Sequence, residues 1–301
     1  MYVITGATGN TGNTAARKLL AKGQKVRVIS RSAQNLQPLE ALGAEPFVCD
    51  LTDTDSLNEA FAGARAVYAM LPPAMTSDDY RAHQDRISDS IAAAIEKTGV
   101  EYAVTLSSFG ADKSEKTGPI LGGHYLEQRF NQINGLNVLH LRPGYFMENT
   151  LGQAGIIKQF GMAAGPLRPD LKLPMIATRD IGDAAAESLL KLDFSGQQTR
   201  ELLGQRDLSM TEAAEIIGKA IGKPDLAYIQ LPDEQVRPAL IQIGMSPNVA
   251  DLILEMATAQ NSGHVVALEE RSAQNTTATS YETFVAEEFV LLYRGASAPA
   301  H

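Results

Sequence analysis

The 301-residue sequence has no tryptophan, one cysteine and only five histidines. A single cysteine, Cys49, cannot form an intrachain disulfide, and the sequence has no cysteine–histidine cluster of the kind that binds zinc. We therefore expect no metal site. Basic runs are absent too, since 26 lysines and arginines stand against 35 acids, a net charge of −9. This acidic balance argues against direct binding of nucleic acid through its phosphates.

Long apolar runs are also missing. No stretch approaches the roughly 18 consecutive apolar residues of a membrane helix, and residues 1–25 lack the basic segment and apolar run of a signal peptide. We therefore expect a cytoplasmic protein without membrane association. The 44% share of hydrophobic residues and 20% share of charged residues are ordinary for a globular protein with a sizeable core.

Six short apolar runs alternate with helical patterns in the first half of the chain. They are YVIT (2–5), KVRVIS (25–30), PFVCD (46–50), AVYAML (66–71), YAVTLSS (102–108) and NVLHLRP (137–143). Near-continuous apolar character suits strands that are buried on both faces of a parallel sheet. Strand–helix–strand alternation indicates right-handed crossovers, so the predicted fold class is α/β with a doubly wound sheet.

The pattern loosens from about residue 144, where glycine and proline become frequent and a lobe over the edge of the sheet is expected. Helices return later, and three starts can be predicted from capping residues. Asp180 is predicted to cap the first, Ser209 and Glu212 form a capping box at the second, and Thr279 with Glu282 repeats that box at the third.

The segment TGATGNTG (5–12) follows the first strand and precedes the first helix. Its glycines, Gly6, Gly9 and Gly12, have the spacing G-x-x-G-x-x-G. A turn without β-carbons lets the backbone approach a pyrophosphate, and the following helix points free N–H groups at it. This context favours a dinucleotide site over a merely tight turn. Short side chains that could add donors to phosphate oxygens are Thr8, Asn10 and Thr11.

The choice of dinucleotide depends on the end of the second strand. NAD sites place an acid there for the ribose 2′-hydroxyl, whereas this chain has Arg31, whose guanidinium could clamp a 2′-phosphate. The alternative is a solvated surface arginine. NADP(H) is therefore the predicted cofactor. Asp50, which ends the third strand, is placed to meet the adenine amino group, to cap the following helix, or both.

Several motifs in this order resemble the NmrA-like branch of the atypical short-chain dehydrogenases/reductases. They are TGATGNTG, VRVISRS, CDLTD, LRPGYFMEN, IATRDIGDAA, ELLGQRDLSMTEAAEIIGKAIGKP and the closing TSYETFVAEEF. The resemblance implies a Rossmann-type NADP-binding domain over residues 1–143, to which 176–205 return. It also implies a smaller, mostly helical substrate-binding lobe over 144–175 and 206–301. The family contains NADPH-dependent reductases of quinones and dyes, and members that bind NADP without turnover.

Cofactor-site residues follow from the resemblance by position. The glycine turn (Gly6, Thr8, Gly9, Asn10, Thr11 and Gly12) would hold the pyrophosphate, Arg31 the 2′-phosphate, and Asp50 with Leu51 the adenine. The stretch Met70, Leu71 and Pro72 would lie under the ribose and nicotinamide, and Pro143 and Tyr145 would border the nicotinamide. An apolar wall formed by Tyr145, Phe146 and Met147 is one interpretation of the last motif, and plain core packing is the other.

Three residues, Tyr125, His124 and Ser107, are candidates for the catalytic group. Ordinary short-chain dehydrogenases pair Tyr-x-x-x-Lys with a serine, and the lysine lowers the tyrosine pKa from about 10. Here the comparable stretch is Tyr125-x-x-x-Arg129, and arginine differs from lysine in reach. His124 could protonate an acceptor or simply be a surface residue. Ser107, at the end of the fifth strand, could be the superfamily's serine or bond the adjacent loop.

Two functions remain open, and a third, an isomerase or dehydratase that keeps NADP bound, has less support because no second acid–base pair is apparent. The first is an NADPH-dependent oxidoreductase that transfers hydride to a small quinone-like or conjugated acceptor, for which a strong catalytic acid is less necessary. The second is a non-catalytic NADP(H)-binding redox sensor that acts through a protein partner, which the missing lysine would suit. A homodimer is possible under either interpretation.

Overall fold

The computed structural model describes residues 1–295. Its strands are β1 (Tyr2–Ile4), β2 (Val26–Ser30), β3 (Glu45–Val48), β4 (Ala66–Ala69), β5 (Tyr102–Leu106), β6 (Asn137–Pro143), β7 (Tyr145–Phe146), β8 (Ala163–Gly165), β9 (Leu173–Ile176), β10 (Gln197–Leu202), β11 (Arg206–Leu208) and β12 (Tyr228–Gln230). Its α-helices are α1 (Asn10–Ala21), α2 (Ala33–Glu40), α3 (Thr54–Phe61), α4 (Tyr80–Thr98), α5 (Ile120–Asn131), α6 (Gln153–Phe160), α7 (Thr178–Lys191), α8 (Met210–Ala220), α9 (Asp233–Gln242), α10 (Pro247–Asn261), α11 (Tyr281–Phe284) and α12 (Val290–Arg294). A 3₁₀ segment (Met147–Gly152) precedes α6, and a π turn (Val285–Phe289) joins α11 to α12.

The central sheet has seven strands in the order β10-β6-β5-β4-β1-β2-β3, and every neighbouring pair is parallel. Strands β2 and β3 lie on one side of β1, and β4, β5, β6 and β10 lie on the other, which is the doubly wound arrangement expected from the sequence. All six predicted strands are present, most of them shorter than predicted. Strand β10 was not predicted, because its QQTREL sequence lacks apolar character and lies at the edge of the sheet.

Separate apolar layers cover the two faces of the sheet. Helices α1, α2 and α7 form one layer, in which Leu19, Leu36 and Leu189 are fully buried. Helices α3, α4 and α5 form the other, around Phe61 and Ile91. The strands are therefore buried on both sides, which explains their continuous apolar runs. Helix α7 belongs to the first layer because it packs on α1. Strand β10 belongs to the central sheet because it pairs with β6.

The remaining elements build a separate apolar core outside the central sheet, with Ile157, Phe284 and Phe289 fully buried. Two small sheets were not predicted there, one with the order β11-β9-β7 and one pairing β12 with β8. Their strands have two to four residues, too few for a periodic pattern. Within residues 1–295, no helix is both long and apolar enough to span a bilayer.

Capping was predicted correctly at one of the three helix starts. Ser209 and Glu212 form the predicted capping box on α8. Helix α11 instead begins after Ser280, whose hydroxyl accepts from Thr283 N, so the predicted box of Thr279 and Glu282 is wrong. The side chain of Thr279 is used elsewhere, on Asp180 (Oγ1 to Oδ1, 2.7 Å).

Asp180 itself does not cap α7. It lies inside the first turn, because the helix begins two residues earlier, at Thr178. Glu148, thirty residues before, supplies the cap, and its Oε1 accepts from Thr178 N at 2.8 Å. A carboxylate at this end of a helix is favourable, since it meets free N–H groups and the positive end of the dipole.

Candidate active site

The glycine turn has a left-handed residue at its start and a helix at its end. Gly6 has a φ of +60°, which side-chain-bearing residues rarely adopt, and a Cβ there would lie 2.9 Å from Cγ of Met70. A Cβ on Gly12 would lie 2.8 Å from the carbonyl carbon of Gly6. The fold therefore requires glycine at these two positions, because other backbone or core atoms fill the space.

Gly9 is different. Its φ is −92° and ψ is 171°, which any residue can adopt, and a Cβ would meet nothing closer than the Gly6 carbonyl oxygen at 3.4 Å. It is exposed at the N-cap of α1, where no side chain caps the free N–H groups. The absence of a side chain at Gly9 is thus not needed for packing, but it leaves the helix end open to a ligand.

Side chains near the turn divide into exposed and buried ones. Thr8 and Asn10 are exposed at the turn. Thr11 points inward, and its hydroxyl accepts a 3.0 Å hydrogen bond from Tyr68 in β4. Thr11 can therefore contribute to this site through its backbone N–H rather than its side chain. Thr5 also ties the turn to β4, since its hydroxyl donates to Tyr68 O at 3.1 Å and accepts from Met70 N at 3.1 Å.

Arg31 and Asp50 lie at the carboxyl ends of the adjacent strands β2 and β3. Both are exposed, and within residues 1–295 Arg31 makes no hydrogen bond or ion pair. Asp50 accepts from Thr52 N and Oγ1 through a single oxygen, Oδ1. These hydrogen bonds, with the positive charge of Arg31, hold the pKa of Asp50 below its ordinary value. The second carboxylate oxygen remains available.

Asp50 does not cap α3, which was one of its two predicted roles. The cap is Asp53, whose carboxylate accepts from Asp55 N and Ser56 N. Leu51 is buried in the core beneath the sheet. Of the two roles predicted for Asp50, helix capping is wrong, and contact with the adenine amino group of the cofactor stays a prediction.

The MLPP segment lies at the end of β4, beside the glycine turn. The side chain of Met70 faces Gly6 and packs on one core, whereas Leu71 packs on the other. Pro72 is half-buried. The β4–α4 loop is then fastened to the α9–α10 turn, since Ser246 N donates to Met75 O at 2.9 Å.

Pro143 ends β6 and is buried, and the chain passes from it to β7 through Gly144. A Cβ on Gly144 would lie 3.0 Å from Cγ of Pro174, so the crossing requires glycine. Burial raises the pKa of Tyr145 to about 12, so its hydroxyl stays neutral. Met147 is fully buried in the core and Phe146 packs against the other core, so core packing describes these two better than an open wall.

Ser107 immediately follows β5 and donates its hydroxyl to Glu127 Oε1 at 2.5 Å. Glu127 lies in α5, is only 2% exposed, and also receives Nε and Nη2 of Arg142 from β6, at 2.8 and 2.5 Å. Three donors therefore converge on one buried carboxylate. Glu127 was not identified from the sequence.

Tyr125 is not part of this group. Its hydroxyl donates to Asp89 in α4 at 3.1 Å, and Arg81 lies over its ring. Partial burial and the bond to Asp89 raise the pKa of Tyr125, so the positive charge of Arg129 does not activate it. Arg129 itself binds Asp89 and Glu96. The structure therefore does not bring Tyr125 to Ser107.

Helical geometry gives the reason. Residues four apart in a helix share a face, whereas residues two apart do not. Gly123 and Glu127 occupy the face of α5 that meets Ser107, and Tyr125 lies between them on another face. His124 also points elsewhere, with Nδ1 2.8 Å from Ala111 O.

Comparison with known proteins gives a family match over most of the chain. The sequence model of the NmrA-like family matches residues 2–290. An NAD(P)H azoreductase from Xenophilus azovorans is 27% identical over 258 residues, which cover 85% of this chain and 86% of the azoreductase.

Two solved structures are similar over nearly the full length. An NADPH-dependent quinone oxidoreductase from Escherichia coli, complexed with NADPH, has a TM-score of 0.80 at 22% identity, covering 95% of this chain and 98% of its own. A triphenylmethane reductase from Citrobacter sp., complexed with NADP(H), has a TM-score of 0.80 at 18% identity, covering 96% and 100%. These likenesses confirm the fold.

Proposed function

Because the chain belongs to the NmrA-like family, we propose that it is an NADPH-dependent oxidoreductase that transfers hydride to a small quinone-like or conjugated acceptor. The observation that carries this proposal is the open glycine turn together with the guanidinium of Arg31, which directly follows strand β2. Gly9 leaves the start of α1 accessible, and Arg31 is an exposed cation that makes no hydrogen bond or ion pair within residues 1–295. An anionic dinucleotide with an extra phosphate suits both features.

The residues present suit NADPH at each end. The N–H groups at the start of α1 would hold the pyrophosphate, Arg31 the 2′-phosphate, and the free oxygen of Asp50 the adenine amino group. Ser107 directly follows β5, and Tyr145 follows β6 by two residues. Both strands lie on the other side of β1 from β2, which precedes Arg31, and the nicotinamide half would bind on that side. When bound, NADPH supplies the hydride, and the protein contributes alignment and shields the reacting atoms from water.

The proposed acceptor class depends on which side chains of the site could donate a proton. Tyr125 is turned toward α4, and Ser107 already donates to Glu127, so neither is arranged as a proton donor. A carbonyl reductase needs such a donor, because an alkoxide would form. A quinone or dye delocalises the added electrons, and solvent can complete the protonation. The names of the relatives support this choice, since an azoreductase and a quinone oxidoreductase both act on conjugated acceptors.

The test is NADPH oxidation by the purified full chain with a panel of benzoquinones, naphthoquinones, azo dyes and triphenylmethane dyes. We expect turnover with at least one class of acceptor, and the loss of NADPH absorbance measures it. Two results would contradict the proposal: no NADPH binding, or tight binding with no oxidation across the panel. The second result would favour the redox-sensor alternative, for which the displaced Tyr125 is the motivating observation.

A further inference from the structure

Helix α5 carries two adjacent glycines in its first turn, although glycine weakens a helix relative to alanine. Both allow close approach of neighbouring groups. A Cβ on Gly123 would lie 3.2 Å from Ser107 Oγ and 3.5 Å from Ser108 N. A Cβ on Gly122 would overlap the side chain of Gln84. The start of α5 is therefore pressed against the end of β5.

One turn along the same face, Glu127 receives the Ser107 hydroxyl and both hydrogen bonds of the Arg142 fork. A carboxylate can only accept hydrogen bonds, so the Ser107 proton must point at Glu127. The bidentate pair with Arg142 holds that carboxylate in a fixed orientation. What remains of Ser107 for a ligand is its oxygen lone pairs.

We propose that Glu127 is a positioning residue: held by Arg142, it fixes Ser107 as a hydrogen-bond acceptor for an N–H or O–H group at the nicotinamide end of the site. This inference rests on the proposed function. Ser107 follows β5, which lies on the opposite side of β1 from β2 and β3, the strands that precede Arg31 and Asp50. In a doubly wound sheet the two halves of a dinucleotide bind on opposite sides of that switch point.

Two donors could use the Ser107 oxygen, the carboxamide N–H of NADPH or an O–H or N–H of the acceptor. The variants are Ser107→Ala, the charge-neutral double variant Glu127→Gln/Arg142→Gln, and the triple variant that combines them. The pair is changed together because removing one partner leaves an uncompensated buried charge. Ser188→Ala is the matched control, since Ser188 is a buried serine whose hydroxyl donates within α7, to Ala184 O.

The readouts are the Kd of NADPH and of its 3-acetylpyridine analogue, which lacks the carboxamide N–H, and the KM of the best acceptor. Losing one hydrogen bond predicts about a 10-fold weakening. If the carboxamide is the donor, Ser107→Ala raises the Kd of NADPH but not that of the analogue. If the acceptor is the donor, its KM rises and the Kd of NADPH does not.

In either case the double variant should weaken the same constant, and the triple variant should be no worse than Ser107→Ala, since Glu127 acts through Ser107. Ser188→Ala should bind as the wild type does. Independent effects that multiply in the triple variant would show that the ion pair is only structural and overturn the inference, as would unchanged constants in Ser107→Ala.

A second variant covers the case in which the double variant does not fold. Gly123→Ala leaves the ion pair intact and pushes a methyl group against Ser107 Oγ. It should weaken the same constant as Ser107→Ala, and wild-type behaviour would contradict the inference. Failure of the proposed function is distinguishable, because then the wild-type chain itself would not bind or oxidise NADPH.

Discussion

Replacing Gly9 with alanine tests whether the missing side chain at this position matters for binding the cofactor or for folding. The methyl group would have no neighbour closer than 3.4 Å, and the backbone angles suit alanine. Alanine is a poorer N-cap than glycine, but it also reduces the entropy of the unfolded chain, worth about 0.4–1 kcal/mol. These effects oppose each other. We therefore expect the free energy of unfolding to stay within about 1 kcal/mol of the wild type.

The effect on the cofactor should be larger. A methyl group at the open end of α1 would keep a pyrophosphate from the N–H groups, and hydrogen bonds to a charged group contribute about 1.5–3 kcal/mol each. Losing one or two of them corresponds to a rise of about 10-fold to 100-fold or more in the Kd of NADPH.

The assay is a fluorescence titration with NADPH, together with thermal unfolding with and without the nucleotide. Ligand at 100 times its Kd stabilises a protein by about 2.7 kcal/mol, so the wild-type Tm should rise with NADPH and that of Gly9→Ala should rise much less. Gly152→Ala is the matched control, because Gly152 is an N-cap glycine of α6 with open space around it. Wild-type affinity in Gly9→Ala would refute the assignment of the turn to the pyrophosphate.

Three further predictions concern buried and displaced groups. Burial raises the pKa of Glu148 above its ordinary 4.5, so the folded chain binds this proton more tightly than the unfolded chain. The contribution of Glu148 to the free energy of unfolding therefore falls as pH rises above 4.5. Denaturant titrations should show the stability of the wild type relative to Glu148→Gln falling between pH 5 and pH 7. Tyr68→Phe removes the hydrogen bond to Thr11 and should lower the free energy of unfolding by about 1 kcal/mol, measured in urea. Tyr125→Phe should leave kcat with the best acceptor unchanged, because its hydroxyl binds Asp89; a large loss of kcat would restore Tyr125 as the acid.

The fold was predictable because its signals are local. Continuous apolar runs mark strands covered on both faces, and glycine spacing between a strand and a helix marks the turn. Strand β10 and the small sheets escaped prediction, since edge strands and strands of two to four residues carry no such pattern. Glu148 was also missed as a cap, because its helix begins thirty residues later and only tertiary packing brings them together.

The catalytic residues were harder to predict for the same reason. The Tyr125-x-x-x-Arg129 spacing matches a familiar pattern, but the spacing does not say which face of α5 meets the sheet. The adjacent glycines at the start of α5 and the acid four residues after Gly123 were the available signals, because glycine in a helix indicates close approach. The proposed roles of Ser107 and His124, the domain boundaries, the homodimer and the cytoplasmic location all stay predictions.

The most direct measurement of the central claim is a calorimetric titration of the wild-type chain and Arg31→Gln with NADPH and NADH. The wild type should bind NADPH more tightly than NADH, because the exposed guanidinium of Arg31 is proposed to contact the 2′-phosphate. Arg31→Gln should lose about 10-fold or more of its NADPH affinity and little of its NADH affinity. Failure of the wild type to bind either nucleotide would contradict the site itself, and an unchanged preference in Arg31→Gln would contradict the role of this residue in selecting NADPH.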